Sequence, residues 1–278
     1  MQDINLNSWE EFEKQLEKLE NERLQKSSLD KFLYRGQGDH TLNLLTTLER
    51  NGRERIALKD YHRLISAVKP QIESFTRTNW NVLSYPSGIE NWLNENGNFI
   101  PETFGWSPEF QDTYSYMIYL RHYGFPSPFL DWSSSPYIAA YFAFKKAFGS
   151  KNNASIYVYL GSTSPIALKS RSFSEPLIHR FGPYVRTDPR HFLQQSQYTI
   201  CIVHDGEWRY VPHEEVFARC NPNQDCLWKF NIPYSERLKV LKYLDGYNIN
   251  AYSLFGSDES LMETMALREI YFKDQLRP

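Results

Sequence analysis

The 278-residue chain carries 31 Lys and Arg against 33 Asp and Glu, a formal charge of −2, so no global basic excess marks a nucleic-acid binder. Hydrophobic residues make up 41% and aromatics 16%, with 7 Trp, 19 Tyr and 18 Phe, enough buriable surface to exclude a disordered chain. With 13 Gly and 15 Pro it is neither collagen-like nor low-complexity, and its length admits two domains or one large one.

The first residues, Met1 to Lys14, are polar and acidic. They lack the basic and apolar regions of a secretory leader, so a cytoplasmic protein is expected. Ser8 as N-cap and Glu11 three residues later form a capping box, and Trp9, Phe12, Leu16 and Leu19 recur at three and four. This predicts a helix over 8–26, added to a main domain over 28–278, with 1–27 as the N-terminal helix. Phe32-Leu33-Tyr34 predicts a strand that stops in the turn Arg35-Gly36-Gln37-Gly38-Asp39. Residues 53–77 are helical in pattern, and 79–107 are loop-like. Ser107-Pro108 opens a helix to about Tyr123. Phe129 to Trp132 is a short strand. Ser135-Pro136 opens a further helix with Gly149 as its C′ residue. The longest apolar run, Tyr137–Phe144, is eight residues, well short of the roughly 20 that span a membrane.

Strands are expected at 154–160, 198–203, 227–232 and 249–255, and helices at 234–246 and 258–272. Strands and helices do not alternate regularly, which indicates an α+β class. Cys201, Cys220 and Cys226 are odd in number and form no C-x-x-C pair, arguing against a disulfide framework or a zinc site. A Cys220, Cys226 and His213 metal site would lack a fourth ligand.

Two segments hold the chemistry. In the first, Arg35 ends an apolar strand beside Gly36, putting a planar cationic fork next to bare backbone; this suits a phosphate or carboxylate, or an Arg bridging loops around Asp39. The second, His122 to Ala143, crowds a His, an Asp, a Trp, four Ser and three Tyr around a strand-to-helix corner, where free N–H groups favour an anion. Ala139, Ala140 and Ala143 read as residues that permit close helix packing. A third stretch, 179–191, mixes Arg, His and aromatics as a solvated loop or a single-stranded nucleic-acid contact would.

These segments resemble the FRG domain family, named for its Phe/Tyr-Arg-Gly motif. Tyr34-Arg35-Gly36-Gln37 matches that motif. His122-Tyr-Gly-x-Pro126, Leu130-Asp-Trp-Ser-x-Ser135-Pro136, Ala139 and Tyr141-Phe142-Ala143 match its longest signature. Arg190-x-x-x-Gln194-x-Ser196-x-Tyr198 is a weaker match, with Ser196 where the family usually has Gly. The resemblance spans roughly residues 28–260.

The resemblance implies a divergent relative of the ADP-ribosyltransferase fold, a split mixed β-sheet with NAD in a central cleft. Arg35, Asp131 and Gln194 would be catalytic. Tyr34, Gly36, Gln37, His122, Ser133, Ser135, Tyr141 and Phe142 would bind NAD. No Glu precedes the strand at 198; Gln194, Gln195 and Gln197 stand there, and Glu214 and Glu215 follow later. A Gln can bond ribose hydroxyls but cannot act as a base, which would then be Asp131 or His122. The implied activity is transfer of ADP-ribose from NAD to a macromolecule, nucleic acid among the candidates, as a bacterial anti-phage toxin with a neutralising antitoxin. The alternatives are a non-catalytic nucleotide- or protein-binding module and an NAD glycohydrolase.

Overall fold

The computed structural model describes residues 1–82, 108–146, 153–165, 169, 172, 174–182 and 187–274. The nine strands among them form one mixed sheet: β1 (Gln2–Asn5), β2 (Leu33–Gln37), β3 (Ile56–Ala57), β4 (Leu130–Ser133), β5 (Asn153–Ser162), β6 (Leu177–Phe181), β7 (Ser196–His204), β8 (Trp208–Tyr210) and β9 (Gln224–Pro233). The order is β1-β9-β5-β2-β4-β7-β8-β3, with β6 also pairing β7. β1 runs parallel to β9, and the other pairs are antiparallel.

The helices are α1 (Trp9–Gln25), α2 (Thr47–Arg50), α3 (Leu58–Thr76), α4 (Pro108–His122), α5 (Pro136–Phe144), α6 (Arg190–Leu193), α7 (Glu214–Phe217), α8 (Arg237–Gly246), α9 (Ala251–Phe255) and α10 (Asp258–Ala266). A π-helical stretch and a short turn of helix follow, to Asp274.

The predicted N-terminal helix forms, with the Ser8 cap in place and Trp9, Phe12 and Leu19 buried. It does not stand apart, because β1 ahead of it joins the sheet at β9. That strand escapes apolar patterning because its order comes from polar pairs: Asn231 Nδ2 donates to Asp3 Oδ1 at 2.5 Å and to Asn5 Oδ1 at 2.9 Å.

Helix α5 decides the geometry of the centre. It packs across β2, and six of its nine residues are buried. A Cβ on Gly36 would lie 1.8 Å from the Ala139 carbonyl oxygen and 2.6 Å from the Ala143 nitrogen. Only glycine lets the helix backbone approach the strand this closely. The small residues at Ala139 and Ala143 form the other half of that contact.

Four expectations need correction. The strand expected to stop at Arg35 continues through Gln37, because Arg35, Gly36 and Gln37 pair with Tyr157, Ile156 and Ser155 of β5. Residues 249–255 are not a strand: Asn250 and Ser253 form a reciprocal capping box, α9 follows, and Gly256 ends it at φ 65°. The helix opened by Pro136 stops at Phe144, whose carbonyl accepts from Arg237 Nε at 2.8 Å; Gly149 lies outside the described residues. The helix expected over 53–77 starts at Leu58, since Ile56 and Ala57 pair with β8 instead. Most of the expected loop over 79–107 also lies outside the described residues. Among the described residues, no helix is long and apolar enough to cross a membrane.

Candidate active site

Strand β2 pairs with β5 along its whole length, from Leu33↔Tyr159 to Gln37↔Ser155. On its other side it meets β4 at a single position, Tyr34↔Ser133. β4 stays paired with β7 from Leu130↔Thr199 to Ser133↔Ser196. The sheet therefore opens between β2 and β4, and a cleft of about 390 Å³ lies at the opening, within the roughly 300–1,000 Å³ range of small-ligand sites.

Arg35 enters this gap. Its Nη1 donates to the Asp131 carbonyl oxygen at 2.7 Å, a group on the edge of β4 that β2 leaves without a ladder partner. The same nitrogen lies 3.9 Å from Asp131 Oδ2. Arg121, in the last turn of α4, donates from Nη2 to that Oδ2 at 2.5 Å. One carboxylate thus faces two guanidinium groups. Burial pushes Arg35 down to about 10, against the pull of Asp131, so it stays charged at neutral pH.

The cluster is not closed. Arg35 Nε, Arg121 Nε and Asp131 Oδ1 are buried and have no hydrogen-bond partner among the described residues. Orphaned polar atoms of this kind are costly and uncommon in folded proteins, and several at one cleft point to a polar ligand. Lys145, Lys146 and Arg190 add positive charge to the lining, and Asp131 is the only carboxylate among the described lining residues. Lys145 Nζ sits 4.5 Å from the Phe255 ring centroid, and Phe142 meets Phe255 edge-on at 6.0 Å. Arg190 is held by Asp188, Nε to Oδ1 at 3.0 Å. Burial alone would raise the Asp188 carboxyl, but the bonds from Arg190 and Tyr123 win and lower it to about 2.

The three residues expected to be catalytic, Arg35, Asp131 and Gln194, all line the cleft, as do Tyr34, Gly36, His122, Ser133 and Phe142. Gln194 anchors the strand-end turn: its Nε2 donates to the Leu254 carbonyl at 3.1 Å, and its own carbonyl accepts from Ser133 Oγ at 2.9 Å. Asp131 is half-buried at the cleft, whereas Trp132 is 3% exposed and donates from Nε1 to Thr199 Oγ1 at 2.9 Å. That split follows from the alternation of side chains along a strand.

Three expected residues sit elsewhere. Gln37 is buried and its amide serves the Asp39 and Leu42 carbonyls, because the chain turns there. Ser135 caps α5 by accepting from the Ile138 N–H. Tyr141 belongs to the core under α5, its hydroxyl bonded to Glu263 Oε1. Gly36 lines the cleft, but the requirement for glycine comes from α5. Glu214 is exposed and Glu215 pairs with Arg55 at 2.6 Å; neither lines the cleft.

The stretch 179–191 does not form an exposed basic stripe in its described part. His179 and His191 are buried, Phe181 stacks on Tyr114 at 4.5 Å, and Arg180 pairs with Asp30 at 2.5 Å. Arg190 alone of these lines the cleft. The residues that sequence reasoning missed are Arg121, Lys145, Lys146 and Phe255. Arg121 carried a signal, since it directly precedes His122 in a motif already singled out. Phe255 carried none, because its segment was read as a strand.

Residues 30–152 match the model of the FRG domain family. No curated protein and no solved structure matches the chain. The matched span contains Arg35, Arg121 and Asp131, so the open charged cluster lies within it, whereas Arg190, Gln194 and Tyr198 lie beyond it. The part of the chain that is similar to the FRG domain is therefore residues 30–152, which holds the first two of the segments singled out in the sequence.

Proposed function

We propose that the cleft between β2 and β4 binds NAD and that the protein transfers ADP-ribose from it to a macromolecular acceptor. The observation that carries this reading is the open cluster: two partly buried guanidinium groups and one carboxylate at the cleft, in which two Nε atoms and one carboxylate oxygen have no partner among the described residues. A dinucleotide carries groups that suit these side chains, a diphosphate for the arginines and ribose hydroxyls for the acid.

Each side chain then has a defined task. Arg35 and Arg121 hold the diphosphate by charge-assisted bonds. Phe142 and Phe255 offer aromatic surface for a flat ring. Asp131 Oδ1 opposes the positive charge that builds on the ribose as nicotinamide departs. Gln194 holds hydroxyls without removing a proton. As a toxin, such an enzyme needs a neutralising protein partner, and its growth arrest should depend on Arg35.

The test is incubation of the purified protein with labelled NAD and separate pools of RNA, DNA and protein. Label transferred to one pool, with nicotinamide released in step, supports the reading and names the acceptor. A second reading has its own observation: Arg121 and Arg35 already offset the one carboxylate among the described lining residues, as suits a binding module. Tight NAD or ADP-ribose binding with no nicotinamide release would favour it. Release without label on any pool would indicate a glycohydrolase.

A further inference from the structure

The transfer reading leaves one chemical gap. Gln194 is neutral, and Asp131 has Oδ2 taken by Arg121 and Oδ1 set against the ribose charge, so a separate group is needed among the described lining residues to take the acceptor's proton. A chain of three side chains at its wall fills that gap. The hydroxyl of Tyr198 lies 2.7 Å from His122 Nε2 and 3.2 Å from His191 Nδ1. The Tyr198 and His191 rings stack at 5.7 Å with 12° between planes. Tyr198 is 1% exposed in an aromatic shell that includes Tyr114 and Phe129. His122 and Tyr198 line the cleft, and His191 is buried behind them.

We propose that His122, Tyr198 and His191 form a proton relay that makes His122 Nδ1 the proton acceptor of the cleft. The proposal rests on the transfer reading above. A tyrosine hydroxyl has one proton to give, so it can donate to only one of two neighbouring imidazole nitrogens; the other must donate to it. When Tyr198 donates to His191 Nδ1, His122 donates from Nε2, and its Nδ1 is left as a free acceptor. Nδ1 makes no hydrogen bond to any described residue and is not among the buried unpartnered atoms, as befits a nitrogen turned to the cleft.

The step balances as follows. The acceptor's O–H or N–H proton passes to His122 Nδ1. The electron pair it leaves forms the bond to the ribose carbon as the bond to nicotinamide breaks. The Nε2 proton of His122 moves to the Tyr198 oxygen, and the Tyr198 proton moves to His191 Nδ1. His122 and Tyr198 end neutral and the charge rests on His191. Only His122 touches the acceptor; Tyr198 and His191 act through it.

The charged groups facing His122 are Asp131 from β4, Asp188 and Arg190 at the start of α6, and His191 on α6. Burial lowers the His122 pKa, with Arg190 and His191 adding to it, against the upward pull of Asp131 and Asp188. His122 is therefore neutral, and able to accept, at neutral pH. Below its pKa it is already protonated, so the rate should fall as pH drops through that value.

The test compares wild type with Tyr198→Phe, which keeps the packed ring and removes the hydroxyl. NAD affinity is measured by calorimetry, nicotinamide release is followed against pH, and the His122 ring is read by ¹⁵N NMR. The expected result is unchanged NAD affinity and release lowered about 100-fold, the size of a lost acid–base contribution. In the NMR spectrum His122 should be protonated at Nε2 alone in wild type and mixed between its tautomers in the variant. His191→Gln, whose side chain cannot take up the relayed proton, should show the same kinetic loss and stands in if Tyr198→Phe fails to fold. Wild-type release and pH profile in these variants, or an identical His122 tautomer with and without Tyr198, would overturn the relay. A wild-type protein that releases no nicotinamide would instead overturn the transfer reading, and the tautomer measurement would still decide the relay.

Discussion

Two arginine–aspartate clusters in this protein differ in what they leave unbonded. Around Asp30 every carboxylate oxygen is used: Oδ1 takes Arg180 Nη1 at 2.5 Å and the Lys31 N–H at 2.9 Å, and Oδ2 takes the Ser162 N–H at 3.0 Å. Around Asp131 one oxygen and two guanidinium nitrogens have no partner among the described residues. Both clusters join distant segments of the sheet, and both sit beside a glycine that the packing demands. A Cβ on Gly161 would lie 2.5 Å from Asp30 Oδ2, as one on Gly36 would strike α5. The closed cluster is fully explained by structure. The open one is half explained, and its three residues line a cleft. A saturated ion pair holds a fold together, whereas an unsaturated one at a cavity is arranged for something else to complete.

The sharpest way to break this contrast is to remove each aspartate. Asp30 is 6% exposed, and its loss strands Arg180 and two backbone N–H groups. Asp30→Ala should cost about 3–5 kcal/mol, the range for breaking a buried pair, and should show as a large drop in melting temperature. Asp131→Asn leaves a same-sized side chain and should melt close to wild type while losing nicotinamide release. Equal melting losses for both would erase the distinction.

A second comparison lies within one strand, between neighbours Asp131 and Trp132. Trp132→Ala removes a buried indole that meets Tyr159 at 5.4 Å and bonds Thr199. It should destabilise by about 3–5 kcal/mol, read as a drop in melting temperature. Gly36→Ala should follow at about 1–3 kcal/mol or somewhat more, as overpacking against a helix backbone does, with α5 displaced. A Gly36→Ala protein of wild-type melting temperature would show that α5 does not press on β2 as described.

The smallest effect concerns the Asp188–Arg190 pair at the rim. The bonds from Arg190 and Tyr123 hold the Asp188 carboxyl at about 2 in the folded protein, below the usual range of an aspartate. A depressed folded value means its contribution is present above the unfolded pKa and is lost as pH falls from about 4 towards 2. Asp188→Asn should flatten that part of the stability–pH curve and leave neutral-pH behaviour of the core unchanged. An identical acid limb in the variant would remove Asp188 from that role.

Much of the site was legible in the sequence because it rests on local signals. Arg35 after an apolar run, Asp131 alternating with Trp132, and Ser135-Pro136 opening a helix each declare themselves within a few residues. What was not legible depended on distant partners. Gln37 looked like part of the Arg-Gly motif, yet its amide is consumed by the turn that follows. Arg180 looked like a surface cation until Asp30, 150 residues away, was seen to neutralise it. Strand β1 has no apolar pattern, because Asn231 and Lys229 order it through polar bonds. The segment at 249–255 shows the reverse failure: its apolar content read as a strand, while the Asn250 cap and Gly256 set a short helix.

The measurement that bears most directly on the open cluster is calorimetric titration of NAD into wild type, Arg35→Ala and Asp30→Ala, each checked for folding by its melting curve. We expect NAD to saturate the wild-type cleft. Arg35→Ala should stay folded and bind about 10- to 150-fold more weakly, the equivalent of the roughly 1.5–3 kcal/mol of a charge-assisted contact. Asp30→Ala, studied below its lowered melting temperature, should keep wild-type affinity. An Arg35→Ala protein that binds NAD as tightly as wild type, or a wild-type protein that does not bind it, would contradict the assignment of this cleft.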